Sequence, residues 1–171
     1  MPKPARTKTT AAATALAAGA VLLFGAAPAQ AATYYVSDNC DVPWISCNYG
    51  DLRLYYNSKA KAVDSSGHLV SSWAQFYGNV SDYSGTSQYE GSGLSTYVYV
   101  FGWMNGNGNG QRVKNNAASV ANCAASDDYR VYYNTGYMGH SQYFGHGGWS
   151  SCNWADLDST LKNENASEHF A

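Results

Sequence analysis

The side chains of this chain that could carry out catalysis are its four histidines, its many serines and its paired carboxylates. A serine nucleophile needs a histidine and a carboxylate brought to it by the fold, and composition alone does not forbid this. The sequence, however, contains no Gly-x-Ser-x-Gly elbow, HExxH motif or phosphate-binding loop. Acidic pairs such as Asp127 with Asp128, or Asp156 with Asp158, are common in turns and caps. We therefore expect a protein that is not an enzyme.

Metal binding by histidine is best supported by the spacing of His140 and His146. Their even separation would place both on the same side of an extended segment. No third ligand follows from the sequence, and glycines surround the pair at Gly139, Gly145, Gly147 and Gly148. Solvated loop histidines are therefore the preferred interpretation, and a two-histidine metal site is the alternative.

Cys40, Cys47, Cys123 and Cys152 form an even set, which predicts two disulfides in an oxidising compartment. Four cysteines allow three pairings. We prefer Cys40–Cys47 with Cys123–Cys152, because this pairing closes one short loop and joins two late segments. The spacings lack the CxxC-like clusters that are typical of zinc sites, and oxidised cysteines leave no thiolate nucleophile.

Residues 1–31 have the pattern of a secretory signal peptide. Basic residues precede an apolar run over 11–27, and small residues end the segment at a cleavage site. A membrane anchor is the alternative, but the strongly apolar part, 18–27, is shorter than the roughly 20 residues that a bilayer requires. We expect cleavage after Ala31 and a secreted, extracellular domain over 32–171.

The expected mature domain is acidic. Loss of three basic residues with the signal peptide leaves seven against twelve acidic residues, which is a net charge of −5. No basic stripe remains to neutralise phosphates, so nucleic acid is not an expected partner. No remaining segment is apolar enough to span a membrane, and the length suits one domain, which we expect to be monomeric.

The composition favours an all-β fold, with 15 Tyr, 5 Trp and 17 Gly in the whole chain. Aromatic residues fit a pleated sheet, and Gly and Asn favour turns. Short strand-like runs separated by turn signals predict a sandwich or barrel: Thr33–Val36, Leu52–Tyr56, Trp73–Tyr77, Thr96–Trp103, Tyr129–Tyr133 and Ser141–Phe144. The repeated Asn-Gly tract over 105–110 is predicted to be a flexible connection.

A weak internal repeat divides the chain into two halves. The sequence Leu-Tyr-Tyr-Asn at 54–57 recurs as Val-Tyr-Tyr-Asn at 131–134. The pattern Lys-Asn-x-x-Ala-Ser occurs within 113–119 and again within 161–167. The order is the same in both halves, although the first half carries an insertion rich in Ser, Gly and Tyr. Two related β units are therefore predicted.

The second half resembles the Greek key motif of the βγ-crystallins. The hallmark of that motif, aromatic-x4-aromatic-x-Gly, matches Tyr132, Tyr137 and Gly139. The glycine would permit a positive φ where the first hairpin folds back over the sheet, and the two rings would pack the folded hairpin. The resemblance implies a βγ-crystallin-like sandwich of two Greek key motifs over 32–171.

The arrangement also resembles secreted actinobacterial proteins of a metalloproteinase-inhibitor family with the same fold, over roughly residues 47–171. In the first half, Ala60 and Ala62 stand where an aromatic residue and a glycine are expected, so a different hairpin is predicted there. The resemblance implies a peptidase inhibitor whose partner is an extracellular protease. The loop 124–127 after Cys123 would present a rigid contact segment, and a plain linker is the alternative.

Calcium is the metal that the resemblance implies. In many βγ-crystallins the pattern Asn/Asp-Asn/Asp-x-x-Ser/Thr-Ser supplies oxygen ligands, and its counterparts here are 115–120 and 163–168. By resemblance, Ser119 and Ser167 would be calcium ligands, whereas the sixth serine is replaced in both segments. The preferred alternative is that these side chains only fix their loops by hydrogen bonds, so that no cofactor is required.

Peptidase inhibition is the leading functional hypothesis from the sequence. The alternatives are a calcium-binding structural module and a module that binds glycans or the cell wall. Tyr and Trp side chains are suited to stacking on sugars, although aromatic residues in small sandwiches more often form the core. Several exposed tryptophans on one surface would favour glycan binding; the five are Trp44, Trp73, Trp103, Trp149 and Trp154.

Overall fold

A computed structural model describes residues 31–171, so the signal-peptide prediction lies outside the described residues apart from Ala31. Within that range the chain forms ten strands, one short α-helix and one 3-10 turn over Asn39–Asp41. Their bounds are β1 (Ala32–Val36), β2 (Leu52–Tyr55), α1 (Lys59–Ala62), β3 (Trp73–Phe76), β4 (Thr86–Glu90), β5 (Gly93–Tyr99), β6 (Ser119–Asn122), β7 (Tyr129–Asn134), β8 (Met138–Phe144), β9 (Asn153–Asp156) and β10 (Ser167–Phe170).

The strands form three sheets. A four-stranded sheet has the order β3-β2-β6-β9, and every neighbouring pair in it is antiparallel. A second sheet, β10-β7-β8, is also antiparallel. The third, β1-β5-β4, joins an antiparallel β4–β5 hairpin to β1, which runs parallel to β5. The predicted all-β fold is confirmed, and the arrangement is consistent with a sandwich.

Strand β2 shows how the sequence divides the four-stranded sheet into an inner and an outer face. Leu52 and Leu54 are completely buried in the main core. Because side chains alternate along a strand, Arg53 and Tyr55 lie on the opposite, outer face. That face carries a smaller cluster of its own, formed by Tyr55, Leu69, Trp73, Ala121, Cys123, Cys152 and Trp154. Of its aromatic rings, Trp73 also lines the candidate site.

The two Lys-Asn-x-x-Ala-Ser segments make reciprocal contacts. The backbone N–H of Asn115 donates to the carbonyl of Asn165 at 2.8 Å, and that of Asn163 donates to the carbonyl of Ala117 at 2.8 Å. Asn115 and Asn163 both adopt the left-handed conformation, with φ of 61° and 60°. Asparagine enters this region more readily than most residues other than glycine. The repeated segments therefore occupy equivalent positions.

The Tyr-Tyr-Asn segments are equivalent as well. Tyr55 pairs with Ser119 between β2 and β6, and Tyr132 pairs with Ser167 between β7 and β10. The halves also extend each other's sheets. Strand β9 of the second half pairs with β6 of the first, while Val80 of the first half bridges Glu168 on β10.

The first hairpin differs from the second, in line with the departures at Ala60 and Ala62. Residues 135–137 alone connect β7 to β8, whereas 56–72 connect β2 to β3 and include α1. Ala62 at the end of α1 is fully buried. The first half therefore replaces a tight hairpin with a longer, packed connection.

The strand prediction was incomplete. Strands β4, β6, β9 and β10 were not predicted, and β5 ends at Tyr99 instead of continuing to Trp103. Sequences such as Ser-Val-Ala-Asn in β6 and Asn-Trp-Ala-Asp in β9 contain few residues that favour strands. Pairing with neighbouring strands, which is a tertiary effect, produces these elements.

Candidate ligand-binding cleft

One open cavity of about 410 Å³ combines aromatic rings with polar groups, and we call it the aromatic cleft. Its aromatic walls are Tyr49, Trp73, Trp103 and Trp149, and its polar groups belong to Asp38, Asp41, Asn48, Arg53 and Gln75. The floor comes from two neighbouring strands, since Trp73 and Gln75 lie on β3 and Arg53 on β2. Arg53 pairs directly with Gln75 across these strands.

Trp103 reaches the cleft because its connection is bonded to β3. Its backbone N–H donates to the carbonyl of Trp73 at 3.1 Å, and the N–H of Trp73 donates back at 3.3 Å. The two rings stack with their planes 10° apart and their centroids separated by 6.1 Å. Trp103 nevertheless remains 43% exposed. One side of the cleft is thus a parallel pair of indoles.

The Asn-Gly tract holds this connection in place, which corrects the expectation of a flexible linker. Asn107 bridges Ser71, its N–H donates to the carbonyl of Val70 at 2.7 Å, and its carbonyl accepts from Ser72. The tract passes so close to its neighbours that a Cβ on Gly108 would lie 2.1 Å from the Tyr56 ring. Glycine is therefore required for this contact, and the hydrogen-bonded tract lies next to the connection that carries Trp103.

Trp149 closes the opposite side of the cleft. Its ring lies 5.4 Å from the Arg53 guanidinium carbon and meets Tyr49 edge-on at 4.7 Å between centroids. The Cys123–Cys152 disulfide ties this connection to the end of β6, and Gly148 N–H donates to the Ala124 carbonyl at 2.8 Å. Trp149 is 47% exposed and Tyr49 is 52% exposed. The cation–π pair of Arg53 and Trp149 thus lies opposite the indole pair of Trp73 and Trp103 in the cleft.

The polar rim comes from the segment closed by the Cys40–Cys47 disulfide. Asp38, which is almost fully buried, accepts hydrogen bonds from Cys40 N, Gly50 N and the Gln75 amide, at 2.9, 3.1 and 2.6 Å. Asp41 is exposed. The pKa of its carboxyl group is nevertheless raised, mainly because the group is partly desolvated and to a smaller extent because the Asp38 carboxylate is nearby. Asp38 therefore fixes the rim, and Asp41 is available to a ligand.

The two disulfides have the pairing that the sequence analysis preferred, and both support a wall of the cleft. They are compatible with an extracellular protein. Between residues 31 and 171, no helix is both long enough and apolar enough to cross a membrane.

The remaining two tryptophans have structural contacts outside the cleft. Trp44 meets Tyr97 edge-on at 5.2 Å between centroids. Trp154 stacks on Tyr55 at 4.6 Å, and its indole N–H donates to the Ser119 hydroxyl at 3.1 Å. Three of the five tryptophans therefore line one partly exposed surface.

Ser119 and Ser167, the possible calcium ligands, are both fully buried and hydrogen-bonded. The Ser119 hydroxyl donates to the Asn57 carbonyl at 2.8 Å, and the Ser167 hydroxyl donates to the Asn134 carbonyl at 2.6 Å. The Ser167 oxygen also accepts from the Tyr137 N–H. These contacts support the alternative in which the serines fix their loops.

Ammonium groups lie beside both serine loops. Lys114 of the first segment forms a 3.0 Å salt bridge with Asp82, so this carboxylate is already paired with an ammonium group. Lys61 and Lys162 line the cavity next to Asn116. Calcium needs several unprotonated oxygen ligands, so these surroundings fit it poorly. In the described part of the chain, no group of three or more His, Cys, Asp or Glu residues could hold a metal.

The two-histidine metal site is not formed. His140 lies 2.6 Å from a carboxylate oxygen of Asp158, and His146 lies 2.7 Å from one of Asp128. Each imidazole thus has its own carboxylate partner, and the two do not share a site. The strand ends at Phe144, and Gly145 separates it from His146, so the expected alternation does not extend to both histidines.

The residues that matched the Greek key hallmark form a hairpin contact. Gly139 has a φ of +80°, and Tyr137 also adopts a positive φ of 64°. The rings of Tyr132 and Tyr137 pack edge-on with centroids 6.2 Å apart. A register shift in the β7–β8 ladder accompanies this turn. The two tyrosines and Gly139 thus belong to one tight hairpin.

Residues 124–127, which the inhibitor hypothesis treats as the loop that contacts a protease, form a short turn. Ala124 is buried, and its N–H donates to the Asn122 side chain at 3.0 Å. The carbonyl of Asp127 accepts from the same side chain at 2.8 Å. Only Ala125 and Ser126 are exposed at the tip. This turn offers a protease little side-chain surface.

No family model, curated protein or solved structure matches this chain. The kinship with βγ-crystallins and with the inhibitor family therefore stays a prediction. The polar members of the aromatic cleft were missed at the sequence level. One signal could have revealed Arg53, since an arginine precedes the repeated tyrosines in both halves. Arg130, its counterpart, lies 5.6 Å from the Tyr143 ring.

Proposed function

We propose that this protein is a secreted glycan-binding domain whose binding site is the aromatic cleft. The observation that carries the proposal is the convergence of Tyr49, Trp73, Trp103 and Trp149 on one open cavity with a polar rim. Three of these rings remain about half exposed in a domain that has an extensive core of its own.

The chemistry of the cleft suits a sugar. A pyranose ring has apolar C–H faces that pack on indole and phenol rings, and hydroxyl groups around its edge that need hydrogen-bond partners. Ligand sites combine apolar walls with a few placed polar groups in the same way. Here the indole pair and the Tyr49–Trp149 pair form the walls, while Arg53, Asp41 and Asn48 provide donors and acceptors.

A quaternary ammonium ligand is a less suitable occupant of these rings. Aromatic cages bind such cations through the negative faces of the rings. In this cleft the Arg53 guanidinium already lies over Trp149. A second cation would be repelled by it, so a neutral ligand with hydroxyl or amide groups fits better.

A titration of intrinsic tryptophan fluorescence, repeated by calorimetry, tests this proposal. A panel of soluble oligosaccharides and suspended polysaccharides should include at least one ligand that saturates the protein. Trp103→Ala and Trp149→Ala should each weaken binding about tenfold or more, because each removes a stacking surface. Tyr89→Ala removes a more exposed ring on β4, outside the cleft, and should leave binding unchanged.

The inhibitor hypothesis can be examined in the same preparation. The protein is mixed with a thermolysin-like metalloprotease, and residual peptidase activity is measured against molar ratio. Stoichiometric inhibition together with no binding to any glycan would overturn the glycan proposal. Saturable glycan binding that depends on Trp103 and Trp149 would support it.

A further inference from the structure

Two hydrogen-bond donors in the wall of the aromatic cleft have no acceptor. Within residues 31–171, Nε of Arg53 and Nε1 of Trp73 are buried without a hydrogen-bond partner. Buried donors are almost always paired, because burying an unpaired one costs free energy. Moreover, no carboxylate of the described residues forms a salt bridge with Arg53. Both residues line the same cavity, which suggests that a ligand supplies the missing acceptors.

Two exposed rings pack against the residues that carry these donors. Trp103 stacks on Trp73, and Trp149 lies over Arg53. Both rings are about half exposed and belong to connections between strands. Because both donors are buried, a ligand reaches them only if a neighbouring ring rotates away, and tryptophan fluorescence would report such a change.

The free acceptor on the opposite rim is Asp41. Asp38 already accepts from the Gln75 amide at 2.6 Å and from the Gly50 backbone N–H at 3.1 Å. Asp41 and Asn48 are exposed, and their side chains make no hydrogen bond to the described part of the protein. The cleft therefore presents two donors on one wall and a carboxylate with an amide on the other.

We infer that the ligand of the cleft is a glycan built from 2-acetamido sugars, which deepens the proposed function and rests on it. An acetamido group has a carbonyl that accepts from Arg53 or Trp73 and an N–H that donates to Asp41. Its methyl group packs on an indole face. A plain hydroxyl in the same place provides a weaker acceptor and no apolar contact.

The local charge separates this ligand from an acidic sugar. Arg53 alone would favour a uronic acid, because guanidinium groups bind carboxylates well. Asp38 and Asp41 line the same cleft, however, and carry one more negative charge than Arg53 neutralises. A ligand carboxylate would be repelled, whereas a neutral acetamido group keeps the hydrogen bonds without that cost.

Matched oligosaccharides of six sugars test the inference on the secreted protein. The probes are the hexamer of β-1,4-linked N-acetylglucosamine, cellohexaose, which has hydroxyls in place of acetamido groups, and a galacturonic acid hexamer. The acetamido hexamer should bind at least tenfold more tightly than cellohexaose, and the acidic hexamer should bind most weakly. Equal or tighter binding of cellohexaose or the acidic hexamer would overturn the inference but leave glycan binding intact. Failure of every probe and polysaccharide would overturn both.

The variant Trp73→Phe keeps an aromatic ring and removes the unpaired N–H. It should lower the preference for the acetamido hexamer over cellohexaose about threefold or more. Trp154→Phe is the control, because Trp154 lies on the outer face of the same sheet and outside the cleft. An unchanged preference in Trp73→Phe would contradict the assigned role of its N–H. Soluble peptidoglycan strands, which carry acetamido groups and lactyl carboxylates, would distinguish a bacterial wall from a chitin-like source.

Discussion

Glu168 occupies in the second half the position that Val120 occupies in the first. Val120 pairs with Leu54 between β6 and β2, and Glu168 pairs with Val131 between β10 and β7. Both side chains are fully buried. One Glu168 oxygen accepts from the Tyr83 hydroxyl at 2.9 Å, and the other has no hydrogen-bond partner among the described residues. The carboxyl group of Glu168 is thus buried in the core at a position that the first half fills with the hydrophobic Val120.

Replacing Glu168 with glutamine should make the protein less sensitive to alkali. Burial, reinforced by the Asp51 carboxylate, raises the pKa of Glu168 well above its ordinary value, although the Tyr83 hydrogen bond opposes this. A raised carboxyl pKa stabilises the fold fully below the unfolded-state pKa. That contribution is lost as pH rises through the native pKa, because the fold then contains a buried charge.

Urea unfolding of the wild type and Glu168→Gln between pH 4 and 9 provides the measurement. The free energy of unfolding of the wild type should fall relative to the variant as pH rises, with the slope of one titrating proton. The variant Glu164→Gln alters an exposed carboxylate four residues away and should follow the wild type. Parallel curves for wild type and Glu168→Gln would contradict the prediction.

Removal of the serine hydroxyls should destabilise the fold. Ser119→Ala and Ser167→Ala each leave a strand-end carbonyl without its donor, so each should lower the free energy of unfolding by about 1–3 kcal/mol. Ser126→Ala, at an exposed turn, should change it by less than about 0.5 kcal/mol. Thermal unfolding should be the same in CaCl₂ and in chelator. A calcium-dependent rise in Tm that both buried variants abolish would establish the serines as ligands instead.

Gly108→Ala and Gly110→Ala form a matched pair in the Asn-Gly tract. Both glycines have positive φ, 83° and 77°, so both alanines add backbone strain of about 1–2 kcal/mol. Only at Gly108 would the new Cβ overlap the Tyr56 ring, since nothing lies within 4 Å of Gly110. Gly108→Ala should therefore cost about 1–3 kcal/mol more and weaken glycan binding through Trp103. Equal unfolding free energies in the two variants would show that the contact is unimportant.

Loss of the second disulfide should impair both stability and binding. The double variant Cys123→Ala/Cys152→Ala opens a link across 29 positions and should cost about 3–4 kcal/mol. It also frees the connection that carries Trp149, so affinity for the glycan should fall even at temperatures where the fold persists. The double variant Cys40→Ala/Cys47→Ala opens a link across seven positions and should cost less, about 2–3 kcal/mol. Unaltered affinity in the first variant, measured by calorimetry on folded protein, would exclude the proposed role of Trp149.

The parts of the fold that could be predicted depend on local patterns. The all-β class follows from the aromatic residues and the turn signals, and the cysteine spacing favoured the observed disulfides. The equivalence of 113–119 and 161–167 follows from the repeated sequence itself. Each of these features depends on residue types or spacings that can be recognised in a single sequence.

The aromatic cleft could not be predicted, because its walls come from separate connections. Asp41 and Tyr49 belong to the segment around the first disulfide, whereas Trp103 and Trp149 follow β5 and β8. Backbone hydrogen bonds over long sequence distances, such as those between Trp73 and Trp103, decide where these rings meet. Composition indicated that sugar stacking was possible but could not indicate which tryptophans share a surface.

The backbone hydrogen bonds that Asn115 and Asn163 each donate to the other half affect how the domain unfolds. Each half provides the carbonyl that completes the other's loop, β9 lengthens the sheet of the first half, and Val80 joins the edge of the second. Separated halves would expose open sheet edges and unpaired amides. The two halves therefore form one cooperative unit, and neither half is expected to fold without the other.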